Sequence, residues 1–204
     1  MSIIFPAKKL KRNFYTRDLQ IVAKELLGKI LVKKNGRKYL AGKIVEVEAY
    51  DGEIDEASHT FVGLTERNKI MFNEGGYFYV YFTYGAHYCC NVVTGRKGHG
   101  TAVLIRAIEP LEGIDAMSVN RFGRKLMNEK EKINLTSGPG KVCQALEISK
   151  EHYGYDLTGD KIFLLYQPKI AENNIVTTKR IGIKKSVDLQ WRFYIKDNPY
   201  VSKK

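Results

Sequence analysis

The sequence predicts a mixed α+β fold in a single domain, and three observations carry that prediction. Strand-like stretches outnumber helical ones and follow one another without regular β-α-β alternation, which argues against a doubly wound parallel sheet. Turn signals such as "NGRKY" join alternating segments, the mark of antiparallel hairpins. The chain has 204 residues, 44% of them hydrophobic, enough for one substantial core and short for several.

Taken in order, "TRDLQIVAKELLGKILVKK" opens on Thr16 as a cap and places Leu19, Val22, Ala23, Leu26 and Leu27 at helical spacing. Gly28 ends that helix, and a strand runs through Ile30 and Val32. "KYLAGKIVEVEAY" alternates as a second strand, followed by the loop "DGEIDEASHTFVGLTERN". "YVYFTYGAHYCCNVV" reads as strand, tight turn and strand; the pleat puts Tyr77, Tyr79 and Tyr81 on one face, with Phe78, Val80 and Phe82 on the other. "GTAVLIRAIEP" is a further strand. "PLEGIDAMSVNRFGRKL" and "GPGKVCQALEIS" read as helices, Gly138, Pro139 and Gly140 turning into the latter. "KIFLLYQP", "IGIK" and "WRFYIK" close the chain as short strands. Tyr84, immediately before the hairpin glycine Gly85, belongs to neither aromatic row. It is either an idle surface ring or a group that enters a partner.

The formal net charge of +12 favours a polyanionic partner, because Lys and Arg on phosphates release condensed counterions. Its distribution is uneven. Residues 1–43 carry 12 basic and 2 acidic side chains and residues 161–204 carry 10 and 3, whereas residues 44–66 carry 7 carboxylates and no Lys or Arg. An acidic segment in a basic chain marks a salt-bridge partner or a site. No run of about 18 apolar residues predicts a membrane span, and the N-terminus lacks the order of a secretory signal. Cys89, Cys90 and Cys143 fit neither a disulfide framework nor a spaced zinc site. A reduced, cytoplasmic setting is expected, with the paired cysteines packed in the sheet as small hydrophobes.

In "KIVEVEAYDGE" strict alternation puts Ile44, Glu46, Glu48 and Tyr50 on one face. Two readings fit: the solvated face of an amphipathic strand, or a carboxylate facing a cleft, where desolvation prepares it as a base. A calcium loop over Asp51, Glu53 and Asp55 fails because the glycine is Gly52 and the twelfth position is Val62. His59 is a loop hydrogen-bonder or a site residue. No nucleophile sits in a triad setting, and "SGPGK" lacks P-loop spacing. Aromatic rows, a few acids, one histidine and a basic surface suit stacking on a base and hydrolysing what it is attached to.

"VEVEAYDGEIDEASH", "MFNEGGYFYVYFTYGAHYCCNVVTG", "TAVLIRAIEPLEGI", "LTSGPGKVCQALEI" and "KRIGIKKSVDLQWRFYIKDNPYVS" together resemble the alkyladenine (3-methyladenine) DNA glycosylase family, over roughly residues 20–202 and in the family's order. The resemblance implies one glycosylase domain over residues 1–204, with residues 1–15 as a flexible basic arm, and a curved sheet flanked by helices with a protruding hairpin. It implies a monofunctional enzyme, working as a monomer without metal or cofactor, that flips alkylated or deaminated purines out of double-stranded DNA and hydrolyses their glycosidic bond in base excision repair. Flipping costs a few kcal/mol, least at damaged or mispaired bases.

By the same likeness Glu48 activates the attacking water. Arg106 holds that water and a backbone phosphate, and the carbonyl of Ile181 completes the water's contacts. Tyr50, His59 and Tyr81 wall the base pocket, the backbone at Ala57 and the His59 side chain read the base edge, and Asn91 opposes the exocyclic amino group of guanine. Tyr84 enters the minor groove to fill the vacated space. The strand alone does not choose between Glu46 and Glu48; the likeness favours Glu48. The chain departs from the family's basic residue and proline before "RN", carrying Leu64 and Glu66 instead, which puts a phosphate contact there in doubt. A non-catalytic nucleic-acid-binding module and a hydrolase of free nucleosides are the rival classes.

Overall fold

The computed structural model describes residues 8–83 and 85–203. The first helical turn, α1 (Arg12–Tyr15), precedes α2 (Leu19–Leu26), whose cap is Asp18 and not Thr16: the Asp18 carboxylate accepts from the N–H groups of Gln20 and Ile21. Thr16 instead closes α1. A carboxylate at a helix N-terminus also meets the positive end of the dipole, so Asp18 is the better cap. Leu10 and Tyr15, in the segment read as an arm, are buried, and the Leu10 N–H donates to the carbonyl of Leu164 (2.8 Å).

Eight strands follow: β1 (Ile30–Asn35), β2 (Lys38–Asp51), β3 (Phe78–Thr83), β4 (His87–Thr94), β5 (Thr101–Glu112), β6 (Ile162–Leu165), β7 (Ile175–Thr178) and β8 (Arg192–Ile195). They form one antiparallel sheet in the order β3-β4-β5-β2-β1-β6, curled into a half-barrel, with β8 beside β2 and β7 beside β8. The fold is therefore α+β, as the strand-rich order predicts. Among the described residues three further α-helices follow: α3 (Ile114–Phe122), α4 (Glu129–Asn134) and α5 (Pro139–Ala145). β5 runs past Pro110, so α3 begins four residues later than its sequence segment, after Gly113 in the left-handed region (φ +77°). α4 has no apolar stripe and was not foreseen; Asn128 caps it by accepting from the Glu131 N–H.

"IGIK" is not a strand. Gly182 takes a left-handed φ of +78°, which turns the chain away from any ladder, and the neighbouring strand is β7, just upstream. The main core lies between one sheet face and α2, α3 and α5, and includes Leu26, Leu31, Ile44, Val47, Phe78, Val103, Ile105 and Val142. Phe78 and Val80 join this core while Tyr77, Tyr79 and Tyr81 gather on the other face around Met71 and Val93, which is the alternation predicted for the hairpin.

β2 breaks strict alternation. Its pairing with β5 slips at Val45 and again opposite Arg106, each the extra residue of its strand. Ile44 consequently packs with Val47 and Ala49 in the main core, and Val45 packs with Ala107 and Tyr200. The expectation that Ile44 shares the face of Glu46 and Glu48 is corrected by this slip. Upstream of it β2 pairs with β1; downstream, Glu46, Val47 and Glu48 pair with β8. Among the described residues no helix is long and apolar enough to cross a membrane.

Gly75 gives a direct test of the packing that joins α1 to the sheet. A Cβ there would lie 2.2 Å from the backbone oxygen of buried Tyr15, whose carbonyl already accepts from the Gly95 N–H (2.9 Å). Neither backbone can give way alone, so Gly75→Ala is expected to lower the unfolding free energy by about 1–3 kcal/mol. Urea denaturation measures it; an unchanged midpoint would refute the contact.

Candidate functional site

The register of four strands brings distant residues into one row. Tyr79 pairs with Asn91, Asn91 with Leu104, Leu104 with Glu48 and Glu48 with Arg192. Paired residues point to the same side of a sheet, so this row shares the face opposite the main core. A cavity of about 420 Å³ opens on that face, lined among others by Tyr50, Ala57, His59, Tyr81, Asn91, Arg106 and Ile181. Seven of the nine residues singled out in the sequence thus meet at one cavity. Glu48 contributes no lining atom, and Tyr84 lies outside the described residues.

Both carboxylates of the acidic strand are fully buried, so the solvated-face reading fails for each. Glu46 accepts from Arg106 Nε (3.0 Å), Arg192 Nε (2.7 Å), the Ser202 N–H (2.6 Å) and the Ser202 hydroxyl (2.9 Å). Three of these donors converge on Oε1 and one, the Ser202 N–H, reaches Oε2, and of the residues that supply them only Arg106 lines the cavity. Glu48 differs. Its Oε1 accepts from the Ile181 N–H (2.7 Å), and its Oε2 accepts from the Tyr50 hydroxyl (2.8 Å) and faces Arg106 Nη1 (3.2 Å). One acceptor position on Glu48 is left over by the described donors. Its three partners all line the cavity, so the carboxylate sits directly behind the wall. Burial alone would lower the Arg106 pKa, but Glu48 and Glu46 outweigh it and raise it, keeping the guanidinium charged.

Ile181 reaches Glu48 through its N–H, a contact beyond the one expected of its carbonyl. Ala57 lines the cavity, but its N–H donates to Asp55 Oδ1 (3.0 Å). Asn91 is fixed by donating to the carbonyl of Tyr79 (3.1 Å). His59 Nδ1 and the Tyr79 hydroxyl share a hydrogen bond (2.8 Å), and the imidazole stands edge-on to Tyr81 at 4.5 Å. Burial and then the Arg67 charge lower the His59 pKa from 6.5 to about 4. The ring is therefore neutral near pH 7. Burial first, then Glu48, raises the Tyr50 pKa, so its hydroxyl keeps the proton it donates to Glu48. Cys90 packs in the core as expected. Cys89, buried, lines the cavity floor, and burial pushes its thiol up to about 11, well away from a reactive thiolate.

Tyr79, Asp55, Arg67 and Arg180 were not foreseen as site residues. Tyr79 stacks on Tyr81 (5.4 Å, 25° between planes), and its place in the aromatic row was the available signal. Arg67 lies 5.5 Å over the Tyr81 ring. At the departing positions Leu64 is exposed, and exposed Glu66 pairs with Lys69 (2.8 Å), so neither presents a cation of its own.

The family profile described as Methylpurine-DNA glycosylase (MPG) matches residues 13–199. The chain belongs to that family. Proteins called "Putative 3-methyladenine DNA glycosylase" resemble it throughout: one from Clostridium novyi (strain NT) is 50% identical over 97% of this chain and 100% of its own. One from Carboxydothermus hydrogenoformans is 51% identical over 96% and 99%, and one from Alkaliphilus oremlandii 48% over 96% and 100%. As a member of the methylpurine-DNA glycosylases, the protein is a hydrolase of N-glycosyl bonds whose substrate is damaged DNA.

The depressed His59 pKa has a measurable consequence. Unfolded, the ring takes a proton near pH 6.5; folded, only near pH 4. Unfolding therefore takes up a proton between those values, and stability falls as the solution is acidified through that window. His152, also lowered by burial, acts in the same direction. His59→Gln should flatten the slope of stability against pH between about 6.5 and 4, and urea midpoints across the window read it; an unaltered slope would place the protonation elsewhere.

Proposed function

We propose that the protein is a monofunctional DNA glycosylase that flips alkylated or deaminated purines, of the 3-methyladenine and hypoxanthine type, out of double-stranded DNA and hydrolyses the glycosidic bond with water activated by Glu48. The observation that carries the reading is the contrast between the two buried carboxylates: all three partners of Glu48 line the cavity, whereas of the residues that hold Glu46 only Arg106 does.

In this reading the flipped purine lies between Tyr50, His59 and Tyr81, reached by the backbone at Ala57, and Tyr84 fills the gap left in the duplex. Glu48 accepts a proton from water, the water oxygen bonds to C1′, and the C1′–N bond breaks with its electron pair passing to the base. A cationic alkylpurine then leaves neutral; hypoxanthine takes a proton at the ring from solvent water as it leaves. The sugar passes through an oxocarbenium-like state, which the fixed negative charge of Glu48 stabilises. Arg106, bridging Glu46 and Glu48, orients that carboxylate and approaches the water and a phosphate, and Ile181 helps hold the same water. Aromatic walls prefer an electron-poor or cationic ring by about 0.5–2 kcal/mol, modest enough for a broad substrate range. Asn91, unable to swing aside while bonded to Tyr79, meets the exocyclic amino group of guanine. The chain acts as one domain and one monomer in the compartment that holds the chromosome.

Glu48→Gln should leave duplex binding intact and slow single-turnover base release by at least about 10²–10⁴-fold. Glu46→Gln should instead destabilise the fold by about 3–5 kcal/mol, because buried Arg192 loses its carboxylate partner and Arg106 is left with Glu48 alone. Release abolished by the Glu46 change alone, in a folded protein, would overturn the assignment, and a wild-type protein that binds lesion duplex without ever leaving an alkali-labile abasic site would be a binding module.

Asn91→Ala should raise excision of guanine and methylated guanine relative to adenine lesions, read as a ratio of release rates. An unchanged ratio would remove its gatekeeping role.

A further inference from the structure

We propose that the buried Asp55 and Arg180 form a positioning pair that holds the Ile181 amide against Glu48 and thereby sets the geometry of water activation; the inference rests on the reading of Glu48 just given. Both side chains are fully buried. Arg180 Nη2 donates to Asp55 Oδ1 (2.8 Å), Nη1 donates to Asp55 Oδ2 (2.5 Å) and to the carbonyl of Ala49 (2.9 Å), and the guanidinium lies 4.5 Å over the ring of Tyr50. Ala49 and Tyr50 directly follow Glu48. The residue directly after Arg180 is Ile181, the amide donor to Glu48.

The other partners of Glu48 are carried by strands: Tyr50 by β2 and Arg106 by β5. Ile181 stands in a segment with no ladder, between β7 and β8, so side-chain bonds place its backbone. Arg180 supplies the central one. Two further ties join the same segments at the cavity rim: the Glu56 N–H donates to the Ser186 hydroxyl oxygen (3.0 Å), and Glu56 pairs with Lys185 (3.2 Å). Both ties are exposed, and the ion pair is screened by salt, whereas the Asp55–Arg180 pair is dry. Asp55 also accepts from the Ala57 N–H, so one pair fixes the carboxylate's amide donor, its hydroxyl donor's ring and a wall of the pocket. Neither side chain lines the cavity. They act through Ile181 and Tyr50.

The test uses the full chain with Asp55→Asn, which keeps the shape and removes the charge, Arg180→Lys, which keeps a charge and loses the fork, and the double variant. Duplexes carry hypoxanthine or 7-methylguanine, and circular dichroism at the assay temperature establishes that each variant is folded. Each single change should slow single-turnover release about 10- to 100-fold, by the same factor for both lesions, as expected for a small displacement of catalytic geometry. Affinity for undamaged duplex should stay within about twofold, and the double variant should lose no more than the worse single, since the two residues act as one unit.

Rates equal to wild type, losses that multiply in the double variant, losses that differ between lesions, or a parallel loss of duplex affinity would each overturn the proposal. If Arg180→Lys does not fold, Asp55→Asn and Asp55→Glu decide on the same rates. Failure of the underlying reading is separable. It is seen when Glu48→Gln releases base at the wild-type rate, whereas an inactive Glu48→Gln beside a fully active Asp55→Asn sinks the positioning pair alone.

Discussion

The structure around the cavity depends on a carboxylate that does not face it. Glu46 gathers two guanidinium groups and the backbone and hydroxyl of Ser202 around one fully buried anion. Arg192 holds β8 to β2, and Ser202 draws the end of the chain under the sheet. Arg106 is gripped at Nε, which leaves Nη1 turned toward Glu48 at 3.2 Å. A buried ion is tolerated only when its acceptor positions are met. The bonds that satisfy Glu46 are also those that aim Arg106.

The slip in register makes this possible. Regular alternation from Ile44 onward would have placed Ile44 on the face that carries the acids. The extra residue at Val45 turns Ile44 into the core, and the extra residue at Arg106 restores the pairing, leaving Glu46 and Glu48 together on the cavity side. Bulges raise twist and re-aim single side chains. Here the side chain re-aimed is the arginine shared by both acids.

What the sequence disclosed and what it withheld divide along one line. Period-two alternation places Tyr77, Tyr79 and Tyr81 on one face and Phe78 with Val80 on the other, because a hairpin with one face in the core has little freedom of register. The long motifs locate Tyr50, His59, Asn91 and Arg106, all of which line one cavity. Hidden were facts that depend on pairing across the fold. Nothing local marks Val45 as an extra residue, since Val is a good strand former at any register. "IGIK" has strand composition, yet Gly182 turns it into a cavity wall. Asp55 and Arg180 are 125 positions apart, and their contact follows from how a loop meets an unpaired segment. The strand presents Glu46 and Glu48 equally, and the different partners that hold each of them likewise come from distant parts of the chain.

The charges separate into two systems with different physics. Glu46, Glu48 and Asp55 are fully buried and pair with the almost fully buried Arg106, Arg180 and Arg192, three against three. The net +12 therefore resides outside this cluster, on groups that are largely exposed. Exposed charges attract a polyanion over distances set by the Debye length, about 8 Å at physiological salt, and weaken as salt rises. The buried set is shielded from that screening and fixed in orientation by the sheet. Salt can thus tune how strongly the surface draws in nucleic acid while the cluster behind the aromatic wall stays unchanged. Exposed Leu64 and salt-bridged Glu66, which add no positive charge of their own, belong to the first system: their cost falls on attraction, and neither contacts Glu48 or its partners.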